Sequence, residues 1–165
     1  MSATVRLARS GDGAEIAAVW LSAAAYYADL DPAHFQVPRA DRLAEAWEDQ
    51  LAVPHEDALR LVADAGGRVI GWLSARLEPP EDDAAMQLTR EHGCTRLTVD
   101  ALIVDRGYWR HGAGTALLEA AEAWGRDRGA RIARLDTYAH SPVSVPFYED
   151  RMGYQRRSIL FQKQL

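Results

Sequence analysis

The pattern of apolar and polar positions changes its period near the middle of the chain, and the two patterns predict a strand followed by a helix. Residues 97–104 alternate with a period of two, which is typical of a strand. One predicted face carries Leu97, Val99, Ala101 and Ile103, and the other carries Thr98, Asp100, Leu102 and Val104. Further along, apolar residues recur at helical spacing, which predicts an amphipathic helix from Ala113 to Trp124.

Shorter patterns predict the remaining elements. We expect the other strands at residues 4–8, 59–63, 69–77, 131–138 and 154–164. A turn and cap at residues 10–12 begins a helix that ends near Leu30, and further helices are predicted at residues 39–51 and 141–151. Glycines predict a hairpin turn at residues 64–67 and the end of the central helix at Gly129. The predicted order is β-α-α-β-β-β-α-β-α-β, which is an α/β fold with a mixed sheet.

One long segment carries no clear element. Residues 78–93 begin with an acidic stretch and show neither strand nor helix periodicity. A solvated surface loop and a loop that shapes a substrate site are both compatible with this pattern.

Composition narrows the class of protein. A chain of 165 residues with 48% apolar and 26% charged residues suits one globular domain over residues 1–165. The net charge of −5 argues against non-specific binding of nucleic acid and favours cationic substrates. The single cysteine, Cys94, suits a reducing compartment, so a cytoplasmic location is expected. We find no leader-like segment, no apolar run of membrane length and no histidine spacing typical of a metal site.

The junction between the central strand and helix has the properties of an anion site. Gly112 and Gly114 lie where the helix begins, and Arg110 and His111 precede them. A helix start presents unpaired backbone N–H groups and a partial positive charge, which suit phosphate. A glycine turn without a ligand is the alternative. The lysine of a P-loop is absent before Thr115, and the third glycine of a dinucleotide fingerprint is absent.

Two motifs resemble those of the GCN5-related N-acetyltransferases, the GNAT superfamily. The sequence WRHGAG at residues 109–114 resembles the acyl-CoA loop, Arg/Gln-x-x-Gly-x-Gly/Ala, although Trp109 takes its first position. The sequence FYEDRMGY at residues 147–154 resembles the family's aromatic-Tyr-x-x-x-Gly-Phe/Tyr signature. Upstream of it, Ser141 and Ser144 take the positions of an Asn-x-x-Ala motif. The predicted element order matches the GNAT fold along essentially the whole chain.

The resemblance implies an N-acyltransferase that uses acetyl-CoA as co-substrate, without a metal, on a primary amine of a small molecule. It implies that Tyr148 protonates the leaving thiolate and that Asp100 takes the proton of the amine. The residues implied to bind the co-substrate are Leu102, Ile103, Val104, Trp109, Arg110, His111, Gly112, Ala113, Gly114, Thr115 and Ser141. The acidic stretch at residues 78–83 suits a polyamine or an aminoglycoside-like acceptor.

Alternatives stay open for most of these assignments. Tyr148 can be a core tyrosine and Asp100 a structural carboxylate, while Cys94 and His140 are weaker candidates for a nucleophile and a base. Aromatic residues near the first helix are candidates for an acceptor pocket: Tyr26, Tyr27, Phe35 and Trp72. The spacing of the tryptophans favours core positions for Trp20, Trp47, Trp72 and Trp124. A peptide amine as acceptor, a non-catalytic acyl-CoA sensor on the same fold, and a homodimer are the remaining possibilities.

Overall fold

The computed structural model describes residues 3–53 and 56–163, which form two compact units divided between residues 135 and 136. The first unit contains a five-stranded sheet in the order β1-β2-β3-β4-β5, antiparallel except for the parallel pair of β4 and β5. Its strands are β1 (Thr4–Leu7), β2 (Ala58–Asp64), β3 (Val69–Glu78), β4 (Arg96–Val104) and β5 (Ile132–Arg134). Its helices are α1 (Gly13–Leu30), α2 (Ala40–Ala52) and α3 (Ala113–Asp127). The predicted fold class, an α/β fold with a mixed sheet, is confirmed.

The helices cover both faces of the sheet. Trp72 of β3 belongs to an apolar cluster that includes Ile16 of α1 and Trp47 of α2. The preceding residue of β3, Gly71, lies against Leu117 of α3, because a Cβ added at Gly71 would lie 3.0 Å from that side chain. Since consecutive residues of a strand point to opposite faces, α3 packs on the face opposite to α1 and α2.

A β-bulge in β4 corrects the predicted assignment of its two faces. Ser74 of β3 pairs with Ala101, but the next residue, Ala75, pairs with Val99, which leaves Asp100 as an extra residue. An extra residue shifts the alternation by one position. Leu97 consequently lies against α3, where it would contact a Cβ at Gly125 at 3.1 Å. The predicted face of four apolar residues is therefore split between the two sides of the sheet.

On the C-terminal side of the bulge, Ala101 and Ile103 pack against the cluster of α1 and α2. Leu102 and Val104 lie on the face of α3, since Val104 pairs with Gly71. The bulge thus presents Asp100 and Ala101 on the same side of the sheet as the first two helices.

The start of α1 is capped by a residue distant in sequence. Asp12 occupies the N-cap position as predicted, but its side chain makes no capping hydrogen bond. It pairs instead with Arg6 at 2.7 Å. The carboxylate of Glu48, in α2, accepts hydrogen bonds from the backbone N–H groups of Gly11 at 3.0 Å and Gly13 at 2.6 Å. These bonds hold the pKa of Glu48 below its usual value.

The second unit contains a short helix, α4 (Ser144–Pro146), which continues as a π-helical turn over Phe147–Arg151. The helix that the sequence predicts at residues 141–151 is therefore shorter and less regular. Gly153 follows it with a φ of 75°, a conformation that commonly ends a helix and that favours glycine.

Two predicted strands differ from the structure. The strand predicted at residues 131–138 is limited to β5, and residues 154–163 form neither helix nor strand, while Gln164 lies outside the described residues. The side chains of Ile159, Leu160 and Phe161 are exposed by 74%, 92% and 87%. Apolar and β-branched residues predict an extended chain, but a strand also requires hydrogen bonds to a neighbouring strand. The long segment after β3 contains only two 3₁₀ turns, Ala84–Met86 and Arg90–Gly93.

Candidate functional site

The loop between β4 and α3 is fixed by Asp105, which the sequence patterns did not single out. Its carboxylate accepts a hydrogen bond from the backbone N–H of Gly107 at 3.0 Å and contacts Arg68 of the β2–β3 hairpin at 3.3 Å. The hydroxyl of Ser22, in α1, donates to the same carboxylate at 3.4 Å. Asp105 thereby ties the loop to two neighbouring elements before the predicted anion site begins.

Trp109, which takes the first position of the acyl-CoA motif, anchors the same loop. Its indole N–H donates to the backbone carbonyl of Val104 at 2.7 Å. Its ring meets the ring of Tyr26 edge-on, with centroids 4.9 Å apart. An arginine or glutamine at this position would offer polar donors to a ligand, whereas Trp109 uses its single donor to hold the loop against the end of β4.

The backbone turns sharply at the start of α3. Gly112 precedes the helix with a φ of 87°, and Arg110 has a φ of 64°, the single positive value among the non-glycine residues that the structure describes. No atom lies within 4 Å of the Cβ that Gly112 lacks, so the backbone there is open to a ligand. The ring nitrogen Nδ1 of His111 lies 2.8 Å from the carbonyl oxygen of Trp109. The structure thus brings residues 109–115 together as an exposed loop and the first turn of a helix.

A cleft of about 540 Å³ lies beside the bulge in β4, between the sheet and the first two helices. Asp100 and Arg76 line it and form an ion pair with each other. The side chain of Asp100 is 38% exposed. Trp20 of α1 and Trp47 of α2 form part of its wall. This cleft has the size of a small-molecule site and contains one of the predicted catalytic residues.

The acidic residues next to the cleft are already paired. Glu78, at the end of β3, accepts hydrogen bonds from Thr98 at 3.1 Å and Arg96 at 3.4 Å, and it forms ion pairs with Arg76 and Arg134. Burial tends to raise the pKa of Glu78, but the hydrogen bond from Thr98 and the three arginines outweigh it and hold the pKa below its usual value. Glu78 is therefore an ionised structural carboxylate and a poor candidate for a base.

Tyr148 and Ser141 belong to the second unit. Tyr148 lies in the π-helical turn, where its ring contacts the rings of Phe147 and Tyr154 with centroids 5.2 Å and 6.0 Å apart. Its backbone carbonyl accepts a hydrogen bond from the N–H of Tyr154 at 2.9 Å. Ser141 is only 2% exposed, and its hydroxyl oxygen accepts a hydrogen bond from the backbone N–H of Ser144 at 3.0 Å. The hydroxyl of Ser141 thus satisfies the first backbone N–H of α4.

The other residues considered for catalysis or for an acceptor pocket lie elsewhere in the structure. The thiol of Cys94 donates to the carbonyl of Glu91 at 3.3 Å, and the ring of His140 contacts Tyr138. Trp72 is 1% exposed and belongs to the core, so it does not line an acceptor pocket. Trp20, which its spacing assigned to the core, packs against the core cluster and also lines the cleft.

Residues 3–53 and 56–163 contain neither a metal-ligand cluster nor a helix that could span a membrane. No group of three or more histidine, cysteine, aspartate or glutamate side chains is arranged to hold a metal ion in these ranges. Within the same part of the chain, every helix is too short or too polar to cross a bilayer.

Comparison with known protein families shows which family this chain belongs to. The sequence model of the acetyltransferase (GNAT) family matches residues 18–154. The chain belongs to the GNAT family. The match begins within α1 and ends at Tyr154, so it includes the loop before α3, Asp100 and Tyr148. No curated protein sequence matches the chain.

Solved structures with the same fold include three that cover nearly the whole of this GNAT chain. A variant of the BH1408 protein from Bacillus halodurans has a TM-score of 0.81 and 18% identity, over 98% of this chain and 99% of its own. The aminoglycoside N-acetyltransferase AAC(6')-Iy in complex with CoA has a TM-score of 0.65 and 17% identity, over 99% and 95%. A GNAT family acetyltransferase from Staphylococcus aureus has a TM-score of 0.63 and 18% identity, over 100% of both chains. At these identities, the likeness shows the fold alone.

Proposed function

We propose that this protein transfers the acetyl group of acetyl-CoA to a primary amine of a small molecule. The observation that carries the proposal is the open backbone at Gly112, beside the N-terminus of a 15-residue helix, in a chain of the GNAT family. When bound, acetyl-CoA supplies a thioester whose carbonyl carbon is open to attack by an amine. The assignments that follow describe what this chain's own residues do.

The loop before α3 is proposed to hold the pyrophosphate of the co-substrate. The first backbone N–H groups of α3 have no partner within the helix and lie at the positive end of its dipole. Gly112 lets a phosphate approach the backbone, since its missing Cβ leaves open space. Arg110 and His111 are exposed beside it and add donors. The indole of Trp109 contributes by fixing the loop.

Asp100 is proposed to take a proton from the acceptor, directly or through a water molecule. This carboxylate lines the cleft at the bulge in β4 and pairs there with Arg76. The guanidinium holds the carboxylate at the wall of the cleft. An incoming ammonium group competes with Arg76 for the same oxygen atoms.

Tyr148 is proposed to donate its phenolic proton to the sulfur atom of the leaving thiolate. A phenol has a pKa of about 10, so it carries its proton at neutral pH and can give it to a developing thiolate. The π-helical turn and the contacts with Phe147 and Tyr154 fix the orientation of its ring. Ser141 as a co-substrate contact, a cytoplasmic location and a homodimer stay predictions.

One alternative is a sensor that binds acetyl-CoA without turnover, and two observations favour it: Trp109 in place of a polar residue, and the ion pair that occupies Asp100. One experiment distinguishes the transferase from the sensor. Acetyl-CoA binding is measured by titration calorimetry, and release of free CoA thiol is then measured with a panel of primary amines. Binding with amine-dependent thiol release supports the transferase, whereas binding without release on any amine supports the sensor.

A further inference from the structure

We infer that the acceptor is a monoamine with a flat apolar body, which Trp20 and Trp47 hold while its amino group lies at Asp100. This inference rests on the proposed transferase function and deepens it, because it names the class of acceptor. Phenylethylamine-like and indolylethylamine-like compounds have this chemistry, whereas polyamines and aminoglycosides do not.

The helix side of the cleft is aromatic. The rings of Trp20 and Trp47 lie with centroids 5.2 Å apart and planes tilted by 53°, and Trp47 makes a similar contact with Trp72 in the core. Because Trp47 is 8% and Trp72 is 1% exposed, Trp20 packs at the surface of a stack whose other two rings are buried. On the sheet, Ala58 and Ala101 lie on the same face and add small apolar side chains to the lining of the cleft. Aromatic rings of this kind recognise a flat apolar group by contact and burial.

The charges in the cleft do not favour a polycation. Asp57 and Asp100 line it together with Arg60 and Arg76, so its formal charge is zero. Arg60 donates to the backbone carbonyl of Val53 at 2.8 Å, at the end of α2, and Arg76 pairs with Asp100. Since attraction of a polycation requires a surplus of negative charge, several ammonium groups would gain little here.

The acidic stretch after β3 does not supply the missing negative charge. Glu78 is surrounded by Arg76, Arg96 and Arg134, and Glu81 pairs with His92 at 2.5 Å and with Arg96 at 3.3 Å. The composition of residues 78–83 favoured a polyamine or aminoglycoside acceptor, but two of its four carboxylates are bound within this network. The other two, Asp82 and Asp83, are not among the residues that line the cleft, so this stretch adds no free negative charge to it.

One carboxylate beside aromatic rings suits a single ammonium group. Asp100 and Ala101 are adjacent in the bulge, and both line the cleft with Trp20. An ammonium group gains from a carboxylate and from a nearby ring face, and an attached apolar body gains from burial against the indoles. Both requirements are met when one amino group is joined to one apolar body by a short linker.

The test uses binding and turnover separately. In the presence of CoA, 2-phenylethylamine should raise the melting temperature of the protein, while spermidine and kanamycin at the same concentration should not. With acetyl-CoA, kcat/KM for 2-phenylethylamine should exceed that for either polycation by about tenfold or more. Stronger binding or faster acetylation of spermidine or kanamycin would overturn the inference.

Variants locate the effect in the cleft. Trp20→Ala should raise the KM for 2-phenylethylamine by about tenfold and leave the acetyl-CoA affinity unchanged, because one aromatic wall is lost. Trp20→Leu, which keeps an apolar side chain on α1, provides the same test if the alanine variant does not fold. Trp124→Ala is the matched control, since Trp124 stacks on Arg128 at the far end of α3 and does not line the cleft. An unchanged KM in the folded Trp20 variants would contradict the inference.

Failure of the two proposals can be told apart. If 2-phenylethylamine binds selectively and depends on Trp20 but no amine is acetylated, the ligand class stands and the transferase function fails. If amines are acetylated without any preference for an apolar body, the transferase function stands and the ligand class fails.

Discussion

Arg76 and Asp100 form an ion pair inside the cleft, beside the bulge in β4. In the register of the sheet Arg76 lies opposite Thr98, and Asp100 has no partner residue on β3. Because Asp100 follows Thr98 by two residues, its carboxylate lies on the face that Arg76 shares, within reach of a long side chain. Within our proposal Arg76 holds the carboxylate that takes the proton of the amine.

The pair predicts that Arg76 competes with the acceptor for Asp100. Arg76→Gln removes the guanidinium that contacts the carboxylate, so the amine should reach Asp100 more easily and its KM should fall. Asp100→Asn should lower the rate more at neutral pH than at high pH, where free amine is abundant.

Arg126→Gln is the matched control for Arg76→Gln, because Arg126 pairs with Glu122 on the exposed side of α3. Its KM for the amine should match that of the parent. A pH-independent loss of rate in Asp100→Asn would indicate a structural role for this carboxylate.

Substitution of two glycines, one at each end of α3, distinguishes a loss of ligand binding from the cost of backbone strain. Gly112 and Gly129 have φ values of 87° and 84°, and an added Cβ would meet no atom within 4 Å at either position. Alanine at either position should cost about 1 kcal/mol of folding free energy, because the left-handed conformation disfavours a side chain. Only Gly112→Ala should also weaken acetyl-CoA binding, measured by titration calorimetry. Equal affinities in the two variants would exclude the loop as the pyrophosphate site.

Tyr148 should matter for the chemical step and little for binding. Tyr148→Phe keeps the ring and its contacts with Phe147 and Tyr154, so the melting temperature should change little. The rate of acetyl transfer should fall by a factor of about 10²–10⁴, as expected for a lost acid, while acetyl-CoA affinity is retained. Tyr154→Phe removes a neighbouring hydroxyl and serves as the control. Parent-like turnover by Tyr148→Phe would show that the tyrosine is not the acid.

Asp12 should stabilise the fold in a pH-dependent way. Burial tends to raise its pKa, but the hydrogen bond from Arg6 and the backbone N–H of Arg9 outweigh this and lower the pKa below its usual value of about 3.9. A lowered pKa in the folded state means that the stabilisation is present above the unfolded pKa and is lost as pH falls through the folded one. Asp12→Asn should therefore lose about 1–3 kcal/mol of unfolding free energy at neutral pH and converge with the parent in acid.

Urea unfolding at several pH values measures this difference. Asp41→Asn is the control, since Asp41 pairs with Arg39 in an exposed position, with side-chain exposures of 60% and 81%. Surface pairs of this kind contribute about 0–1 kcal/mol. A constant difference between Asp12→Asn and the parent down to low pH would contradict the assigned pKa direction.

Local sequence patterns predict the positions of the central strand, the central helix and the glycine loop, although they do not predict the bulge in the strand. Alternation, helical spacing and two glycines are signals within short segments, and they predict α3 and Gly112 correctly. The same holds for Gly129, whose role depends only on its own helix end.

Other features depend on contacts between distant residues. The bulge at Asp100 depends on pairing between β3 and β4, and the cap on α1 comes from Glu48 in the next helix. The spacing of Trp20 predicts its contact with the core, whereas its place at the wall of the cleft depends on how α1 and α2 meet the sheet. Residues 154–163 have the composition of a strand, but hydrogen-bond pairing decides whether a strand forms.

The central claim is acetyl transfer to an amine, and coupled product analysis tests it most directly. The purified protein is incubated with acetyl-CoA and 2-phenylethylamine, spermidine, kanamycin or a peptide, and free thiol and acetylated amine are quantified together. We expect one molecule of CoA thiol to be released for each molecule of acetylated amine, at a rate that the substitution Tyr148→Phe lowers. Saturable acetyl-CoA binding with no acetylated product from any of these amines would contradict the central claim.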